Sequence, residues 1–388
     1  MTGAVVVVGA GQATAELVKT LRTEGYTGGI RVFSREARLP YDRTPLSKGV
    51  LDGSSAPDRL SFVSEHAFAE LGVDLHLGLA VTGVDPAARE VVDADGGRHR
   101  YDRLVLATGA DAIRPPWESS DRVHTVRTVD DALRLRAAVL AEPGPVLIVG
   151  GGFLGLELAS SLGKMGNEIS IVEAAPRLLS GRCSTYLSDW LLERHREAGH
   201  RVSVGCLVTD LTDRGDRVDA VLSDGRTLTA RHVVFAVGAV PDVSLAQALG
   251  AETCRGVIVD DLGRTSVPGV SAIGDLASER DDDGREQRTE SVQHAVALGR
   301  AAARDIAGSA PVPHGPATFW TQQFGQRIQL AGRVAPDAET HDEVVLGENG
   351  WAVRRMLDGR LVGIETLNDP VAYLGGMREL GVTAKAAG

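Results

Sequence analysis

The sequence is poor in cysteine and has no short spacing that would pair the cysteines it contains. Cys183, Cys206 and Cys254 are the three cysteines among 388 residues, and no two of them form a CxxC or similar motif. Disulfide frameworks and zinc sites both need clustered cysteines, so the sequence predicts neither a disulfide scaffold nor a metal site. Such sparse cysteine is typical of a reducing compartment, and we expect a cytoplasmic protein.

Basic charge and long apolar runs are scarce as well. The 41 lysines and arginines are outnumbered by 52 aspartates and glutamates, for a formal net charge of −11. A nucleic-acid-binding protein needs a basic surface, so this balance argues against such a partner. No segment approaches the ~18 unbroken apolar residues of a membrane span, and residues 4–8 end at glycines, as a buried strand does. We therefore expect a soluble protein with no membrane partner, and the sequence leaves open whether it is a monomer or a homodimer.

Glycine, in contrast, is abundant and marks a pattern that occurs twice. The chain contains 46 glycines, and residues 4–21 and 146–163 each combine an apolar strand, a glycine loop and a helix. The two segments start about 140 residues apart, which is a domain's length rather than the period of a solenoid. Two further apolar strands end in small residues, at 104–109 and 233–238, as buried parallel strands do where they meet a ligand. We predict an α/β protein with two Rossmann-type dinucleotide-binding units.

The second glycine loop has the complete GxGxxG spacing at Gly150, Gly152 and Gly155. In this motif the first glycine makes a tight turn, the second lets the backbone approach a pyrophosphate, and the third lets the helix pack on the sheet. Glu173 follows Gly150 by 23 residues and ends the next apolar strand. A carboxylate there accepts hydrogen bonds from the ribose hydroxyls and repels a 2′-phosphate, so the loop predicts NADH rather than NADPH.

The first glycine loop, Gly9-x-Gly11-x-x-Thr14, has a threonine in place of the third glycine. A pyrophosphate can still approach this loop, because the first two glycines are present. After the next strand, Glu36 is the candidate for binding the ribose. It can equally be a solvated loop charge, and the sequence leaves both interpretations open.

The later part of the chain predicts a return to the first unit and then a different architecture. The pattern favours a strand at Ala272-Ile273, a charged hairpin loop at 279–288 and a helix over 291–306. A linker follows, marked by Pro311, Pro313 and Pro316. Residues 317–388 alternate like antiparallel strands and end in a helix.

Residues 39–48, with the sequence LPYDRTPLSK, resemble the PYxRPPLSK segment of FAD-dependent ferredoxin reductases of the putidaredoxin reductase type. These NADH-using enzymes serve aromatic-ring dioxygenases and bacterial cytochromes P450. The resemblance covers almost the whole chain. The other segments that carry it are the ATG at 107–109, the glycine loop with Glu157, Thr265-Ser266 leading to Gly274-Asp275, Glu290-Ser291-Val292, and FWTQQF at 319–324.

The resemblance implies a glutathione-reductase-like fold with two Rossmann-type domains and a C-terminal α+β domain. The implied boundaries are residues 1–110 and 241–312 for the FAD domain, 111–240 for the NAD domain and 313–388 for the C-terminal domain.

The resemblance also implies roles for individual residues. Asp275 is expected to bind the FAD ribityl chain, the helix that begins near Ser291 to direct its N-terminus at the flavin, and Trp320 to lie against the flavin region. Lys48 is expected beside flavin N5 with Glu157 as its carboxylate partner, and these two are the candidate catalytic residues. The candidate cofactor-binding residues are Gly9, Gly11, Ala13, Thr14, Glu36, Arg43, Lys48, Val81, Ala107, Thr108, Gly109, Arg127, Gly150, Gly152, Phe153, Leu154, Gly155, Glu157, Glu173, Val237, Gly238, Gly274, Asp275, Glu290, Ser291, Val292 and Trp320.

The sequence departs from the family's pattern at several places. Arg35 stands where an acidic residue is usual, Thr44 replaces a proline, and Gly181 occupies the place of an arginine. Related enzymes carry a redox disulfide near the first helix or one reactive cysteine after the ribose strand, and neither region has a cysteine here.

Electrons that reach FAD must therefore leave without a protein thiol. We predict that NADH reduces FAD and that FAD passes electrons to a 2Fe-2S ferredoxin that serves a cytochrome P450 or another oxygenase. The alternatives are an NADH-dependent flavin oxidase or small-molecule reductase on the same scaffold, and a redox-signalling flavoprotein.

Overall fold

The computed structural model of the chain describes residues 3–115, 117, 120–280, 284–312, 315–335 and 338–386, with the side chains of the last helix described as far as residue 381. The α-helices are α1 (Gln12–Thr23), α2 (Gly49–Asp52), α3 (Glu65–Glu70), α4 (Val129–Ala141), α5 (Phe153–Lys164), α6 (Thr185–Glu197), α7 (Ser244–Ala248), α8 (Val292–Ala307) and α9 (Pro370–Ala386). Short 3₁₀ helices span Thr44–Ser47, Pro57–Arg59 and Gly274–Leu276.

The strands are short, and many are followed directly by a turn. They are β1 (Val5–Val8), β2 (Ile30–Ser34), β3 (Val73–Leu77), β4 (Val81–Asp85), β5 (Glu90–Asp93), β6 (Arg98–Arg100), β7 (Arg103–Leu106), β8 (Asp111–Ala112), β9 (Val123–Thr125), β10 (Val146–Val149), β11 (Ile169–Glu173), β12 (Arg201–Val204), β13 (Val208–Asp213), β14 (Val218–Leu222), β15 (Thr227–Ala230), β16 (His232–Phe235), β17 (Ala239–Val240), β18 (Val257–Val259), β19 (Val270–Ala272), β20 (Ala277–Arg280), β21 (Glu286–Gln287), β22 (Thr318–Gln323), β23 (Gln326–Gly332), β24 (His341–Leu346), β25 (Trp351–Leu357) and β26 (Arg360–Leu367).

The first of two compact units is formed by three segments: Met1–Asp42, Leu60–Asp111 and Val240–Gly315. Its main sheet is parallel, with the strand order β19-β7-β1-β2-β3. All four valines of the central strand β1 are buried, as expected for a parallel strand covered on both faces. This strand order is that of a Rossmann half, in which a ligand binds at the carboxyl ends of the strands.

In the same unit, helix α8 approaches helix α1 closely because residue 299 is a glycine. A Cβ atom placed on Gly299 would lie 2.5 Å from the carbonyl oxygen of Ala13. Leu17 and Leu298 are both fully buried on these helices. The packing therefore holds the amino-terminal end of α1, which follows the first glycine loop.

The second unit is formed by Arg43–Arg59, Ala112–Ala239 and Pro316–Gly388. It contains a parallel sheet with the order β12-β11-β10-β16-β9, which repeats the arrangement of the first unit. Its central strand β10 is again apolar and fully buried. The unit also contains an antiparallel sheet with the order β22-β23-β26-β25-β24, and α9 packs on it through buried residues such as Leu380.

The predicted α/β class with two Rossmann-type sheets is confirmed, and the antiparallel strands and the final helix of the C-terminal stretch are present. The predicted helix over 291–306 begins one residue later, because the hydroxyl of Ser291 caps it by accepting the N–H of His294 at 3.1 Å. The predicted strand at 272–273 ends at Ala272. Residues 281–283 of the predicted charged hairpin loop, and Pro313 of the predicted linker, lie outside the described residues.

Within the described ranges, no helix combines the length and the apolar character that crossing a membrane would require.

Candidate dinucleotide sites and the Lys48–Glu157 pair

The first glycine loop turns tightly between β1 and α1. Gly9 has a φ of +107°, and a Cβ atom there would lie 2.2 Å from the carbonyl oxygen of Ala107 and 2.9 Å from the nitrogen of Thr108. Gly109, which ends the segment 107–109 after β7, also has a positive φ, of +71°. Only glycine fits position 9, because any side chain would clash with the backbone that follows β7.

The next glycine leaves open space at the start of α1. Nothing lies within 4 Å of a Cβ atom placed on Gly11, and among the described residues no side chain caps this helix. The amino-terminal end of a helix carries partial positive charge and free N–H groups, which suit a phosphate. This end of the first sheet therefore fits the pyrophosphate of a dinucleotide such as FAD.

Thr14, where the motif usually has glycine, is fully buried. Its hydroxyl donates a hydrogen bond to the carbonyl oxygen of Gly9 at 2.7 Å. A hydrogen bond from Thr14 therefore links α1 to the first glycine loop, where a glycine would allow close contact instead. The loop still makes its tight turn at Gly9.

A second glycine turn in this unit lies against the first loop. Gly274 has a φ of +71°, and a Cβ atom there would lie 3.4 Å from the Cβ of Ala13. The half-buried Asp275 follows it, so the structure brings the predicted ribityl-binding residue to the glycine loop. Glu290 precedes the capped start of α8, and its carboxylate lies 2.9 Å from the guanidinium of Arg288.

The other residues predicted at the first cofactor are arranged less tightly. Glu36 is half-buried and accepts a hydrogen bond from the hydroxyl of Tyr41 at 2.6 Å, which leaves its role at a ribose open. Arg35 pairs with Asp111 at 2.6 Å, and this hydrogen bond is the main reason that the pKa of the Arg35 guanidinium is raised. Val81 lies at the start of β4, in a small separate sheet of three strands.

The second glycine loop repeats the geometry of the first. Gly150 has a φ of +112°, and a Cβ atom there would lie 2.4 Å from the carbonyl oxygen of Ala236. Gly152 has nothing within 4 Å of its Cβ position, while a Cβ atom on Gly155 would lie 2.0 Å from the carbonyl oxygen of Gly150. Each glycine therefore meets the requirement that the GxGxxG motif assigns to it.

Glu173 reaches back to this loop from the end of β11. Its carboxylate accepts the N–H of Gly151 at 2.5 Å and the N–H of Ala175 at 2.7 Å. A carboxylate oxygen has two lone-pair sites, so each oxygen can accept one more hydrogen bond. The carboxylate is held at the loop with acceptor capacity that suits a ribose diol.

The remaining predicted residues at the second loop lie in two segments, one at the start of α5 and one after β16. Phe153 and Leu154 form its first turn, and the ring of Phe153 lies 4.2 Å, centroid to centroid, from the ring of Phe319. Val237 and Gly238 follow β16, and Val237 is 44% exposed.

Lys48 and Glu157 form an ion pair in the second unit. The Lys48 Nζ lies 2.5 Å from Glu157 Oε2, with 21% of the lysine side chain and 10% of the glutamate side chain exposed. The same carboxylate accepts hydrogen bonds from the hydroxyls of Ser47 and Thr321, each at 2.6 Å. Pairing and hydrogen bonding offset the cost of burying this charge.

Trp320 lies beside the ion pair. The Lys48 Nζ is 5.5 Å from the centre of the tryptophan ring, and the guanidinium of Arg327 is also 5.5 Å from it. Both distances are within the range of a cation–π interaction. Arg43 donates to the carbonyl oxygen of Arg127 at 2.6 Å, so the structure brings together these two residues of the predicted cofactor-binding set.

Sequence reasoning missed the two hydroxyls that hold Glu157. Ser47 and Thr321 lie 110 and 164 residues from it along the chain. Both occur in segments that carry the family resemblance, but no spacing in the sequence links either residue to Glu157.

The cysteines are not paired in the structure. Cys183 and Cys206 are buried, and Cys254 is exposed. Burial raises the pKa of the Cys183 thiol to about 12, so it does not ionise near neutral pH.

Comparison with known proteins places this geometry among redox enzymes. A family model described as pyridine nucleotide-disulphide oxidoreductase matches residues 3–299. The rubredoxin–NAD(+) reductase of Pseudomonas putida is 32% identical over 375 residues, which cover 95% of this chain and 96% of that protein. The 3-phenylpropionate/cinnamic acid dioxygenase ferredoxin–NAD(+) reductase component of Photorhabdus laumondii is 35% identical over 333 residues, which cover 85% of this chain and 84% of that protein.

A solved structure gives the same picture for the fold. A chain in the crystal structure of the covalent putidaredoxin reductase–putidaredoxin complex matches with a TM-score of 0.92 at 28% identity, covering 98% of this chain and 93% of that chain.

Proposed function

We propose that this chain, which belongs to the pyridine nucleotide-disulphide oxidoreductase family, transfers electrons from NADH through FAD to a small iron–sulfur protein of the ferredoxin class. The family and the enzyme class predicted from the sequence are confirmed by the match over residues 3–299 and by the reductases named above. The acceptor and the individual binding residues are the proposal.

The observation that carries the proposal is the pair of matching glycine loops. Gly9 and Gly150 both have a positive φ. A Cβ atom placed on either would lie close to a backbone carbonyl oxygen, at 2.2 Å for Gly9 and at 2.4 Å for Gly150. Gly11 and Gly152 each leave open space in front of a helix. Two such loops suit two dinucleotides, and we assign FAD to the first and NADH to the second.

The proposed domains follow this assignment. We propose residues 1–110 and 241–312 as the FAD domain, residues 111–240 as the NAD domain and residues 313–388 as the C-terminal domain. The compact units differ from this division at Arg43–Arg59, which belong to the second unit. The separate parallel and antiparallel sheets of the second unit support its division between the last two domains.

When bound, FAD would supply the redox chemistry, the acceptance of a two-electron hydride from NADH and its release as two single electrons. The protein's contribution is to orient the reactants and to balance charge. We assign to Lys48 the stabilisation of negative charge that develops on the flavin, and to Glu157 the positioning of the Lys48 ammonium. The 2.5 Å ion pair and the partly buried position of Lys48 support these roles.

The unpaired cysteines support an external acceptor. Cys183 and Cys206 are buried and Cys254 has no cysteine partner, so a thiol relay has no residues to use. The Photorhabdus laumondii relative and the structurally matched complex are named for a ferredoxin and for putidaredoxin. We therefore propose a 2Fe-2S ferredoxin that serves a cytochrome P450 or another oxygenase.

The decisive experiment measures NADH-dependent reduction of cytochrome c by the FAD-loaded protein. The arms contain a panel of 2Fe-2S ferredoxins, a rubredoxin, or no protein acceptor, and rubredoxin is included because the Pseudomonas putida relative is named for it. We expect cytochrome c reduction to depend on a 2Fe-2S ferredoxin.

Two results contradict the proposal. Equally fast NADH oxidation without a protein acceptor identifies an oxidase or small-molecule reductase. A response to rubredoxin alone identifies a different class of iron–sulfur partner.

A further inference from the structure

A chain of buried polar side chains begins at Glu157 and leads away from Lys48. Thr321, which is fully buried on β22, donates its hydroxyl to Glu157 Oε1 at 2.6 Å. The side-chain amide of Gln323, two residues further on the same strand, lies 3.3 Å from the Thr321 hydroxyl. Gln323 is only 2% exposed, so this side chain is also shielded from water.

The chain continues through two histidines of the same unit. The Gln323 Oε1 lies 3.2 Å from His195 Nε2, and His195 Nδ1 lies 2.9 Å from His200 Nδ1. His195 is fully buried on α6, and His200 is 7% exposed. Gly163 makes room for the second ring, since a Cβ atom there would lie 2.5 Å from His200 Nε2.

The carboxylate at one end determines the direction of the first hydrogen bonds. The ionised Glu157 can only accept, so the Thr321 hydroxyl must donate to it. That hydroxyl is then the acceptor for Gln323, which must direct its NH₂ group at the threonine and its carbonyl oxygen at the histidine.

The same logic determines the histidine tautomers. Because the Gln323 oxygen can only accept, His195 must carry its proton on Nε2, and its Nδ1 is the acceptor in a neutral ring. His200 must then donate from Nδ1. Every donor in the chain points toward Glu157.

Both histidines are held in the neutral form that these tautomers require. Burial, together with the neighbouring His200, lowers the pKa of His195 to about 4. Burial also lowers the pKa of His200. Hydrogen bonds that run in one direction polarise one another, so the chain donates more strongly to the carboxylate than an isolated hydroxyl would.

From this geometry we infer that Thr321, Gln323, His195 and His200 are positioning residues that hold the Glu157 carboxylate against Lys48. The inference rests on the proposed function in one respect, the role of the Lys48–Glu157 pair in flavin reduction. The chain of hydrogen bonds itself exists in the folded protein and can be observed without flavin reduction.

The first test is therefore spectroscopic. Long-range ¹H–¹⁵N spectra of the FAD-loaded protein labelled at histidine distinguish protonated from unprotonated ring nitrogens, with assignment from His195→Asn and His200→Asn variants. We expect His195 protonated at Nε2 and His200 protonated at Nδ1. A His195 ring protonated at Nδ1 overturns the inference.

The second test separates the hydroxyl of Thr321 from its shape. Thr321→Val keeps the shape and removes the donor, whereas Thr321→Ser keeps the donor and removes the methyl group. We expect Thr321→Val to slow flavin reduction by NADH on the order of threefold to tenfold and to shift the His195 signals. We expect Thr321→Ser to keep the wild-type reduction rate and the wild-type His195 signals. A packing role would give the opposite ranking and overturns the inference.

Thr366→Val is the matched control. Thr366 is a fully buried threonine of the same antiparallel sheet, and within the described residues its hydroxyl has no hydrogen-bond partner. This variant should leave the reduction rate and the His195 signals unchanged. A His195 shift equal to that of Thr321→Val would mean that the signal reports general disturbance of the sheet, and it overturns the inference.

A variant at Glu157 distinguishes failure of this inference from failure of the proposed function. If Thr321 acts through the carboxylate, Thr321→Val should cost no further rate in a Glu157→Ala background. An additional loss of rate there overturns the inference. If NADH reduces the flavin of Lys48→Met and of Glu157→Ala at the wild-type rate, the proposed role of the ion pair is wrong. The histidine tautomers still show whether the chain of hydrogen bonds exists.

Discussion

Thr14 donates its hydroxyl hydrogen to the carbonyl oxygen of Gly9 at 2.7 Å. At the equivalent position of the second loop, Gly155 has no side chain, and a Cβ atom there would lie 2.0 Å from the carbonyl oxygen of Gly150. The two loops thus reach the same turn by different means, one with a side-chain hydrogen bond and the other with a close approach of the helix to the backbone of the loop.

This difference predicts the effect of Thr14→Val. Valine keeps the volume of threonine but leaves the partly buried Gly9 carbonyl without this donor, at a cost of about 0.5–1.5 kcal/mol. We expect weaker FAD binding and a lower temperature of flavin release, followed by flavin fluorescence. Thr23→Val is the control, because its hydroxyl also donates to a backbone carbonyl, that of Lys19, but at an exposed place on the same helix. Equal effects of the two substitutions would show that the Thr14 hydrogen bond does not matter for the loop.

Gly150→Ala should weaken NADH binding and leave FAD bound. The new Cβ atom would meet the carbonyl oxygen of Ala236 at 2.4 Å, so the loop must move. Gly166→Ala is the matched control, because Gly166 also has a positive φ, of +91°, but nothing lies within 4 Å of its Cβ position. We expect the rate of flavin reduction in Gly150→Ala to reach saturation at a higher NADH concentration than the rate in Gly166→Ala. Identical saturation curves would argue against NADH binding at this loop.

The choice of nicotinamide should depend on Glu173. We expect its carboxylate to disfavour a 2′-phosphate by about 2–3 kcal/mol, so kcat/KM should be higher with NADH than with NADPH by roughly 30- to 150-fold. Glu173→Gln should narrow this ratio by removing the charge, and its single carbonyl oxygen can accept from only one of the N–H groups of Gly151 and Ala175, which the two carboxylate oxygens accept separately. Glu168→Gln, at a side chain that is 74% exposed, should leave the ratio unchanged. Equal efficiency of the wild-type protein with both nucleotides would show that Glu173 does not bind the ribose.

Lys48→Met should leave FAD bound and slow hydride transfer by roughly 10²–10³, the cost of losing one charged contact to a developing anion. Glu157→Gln should have a smaller effect, because Lys48 keeps its charge. Lys164→Met is the control, since this lysine pairs with Asp52 at 3.0 Å while its side chain is 74% exposed. Stopped-flow reduction of the flavin by NADH measures all three. A Lys48→Met variant that is reduced at the wild-type rate would leave Lys48 without a catalytic role.

Acid should destabilise the protein through His195. Its pKa is about 4 in the folded protein, because burial and His200 oppose its charge, whereas an unfolded histidine titrates near 6.5. Between these values the unfolded chain binds the extra proton, so the free energy of unfolding falls as the pH decreases from about 6.5 to about 4, by about 3 kcal/mol for this group.

Urea unfolding followed by circular dichroism across that pH range tests the expectation. His195→Asn should show a smaller decrease of stability with falling pH than the wild-type protein. His66→Asn should keep the wild-type dependence, because the His66 side chain is 84% exposed. An unchanged dependence in His195→Asn would mean that other groups dominate acid unfolding.

The sequence alone determined the two glycine loops and the fold class. Gly9 and Gly150 could be recognised because a tight turn after a buried strand has a local chemical requirement, and only glycine meets it. The alternation of the C-terminal strands could also be recognised, because in a strand with one buried face the side chains alternate between the two faces every two residues.

The surroundings of Glu157 were decided only by the tertiary structure. Ser47 and Thr321 donate to its carboxylate from positions 110 and 164 residues away. The direction of the hydrogen bonds from His200 through His195 depends in turn on that carboxylate. A hydrogen bond between distant residues leaves no periodic pattern in the sequence, because its geometry exists only after separate strands and helices have packed together.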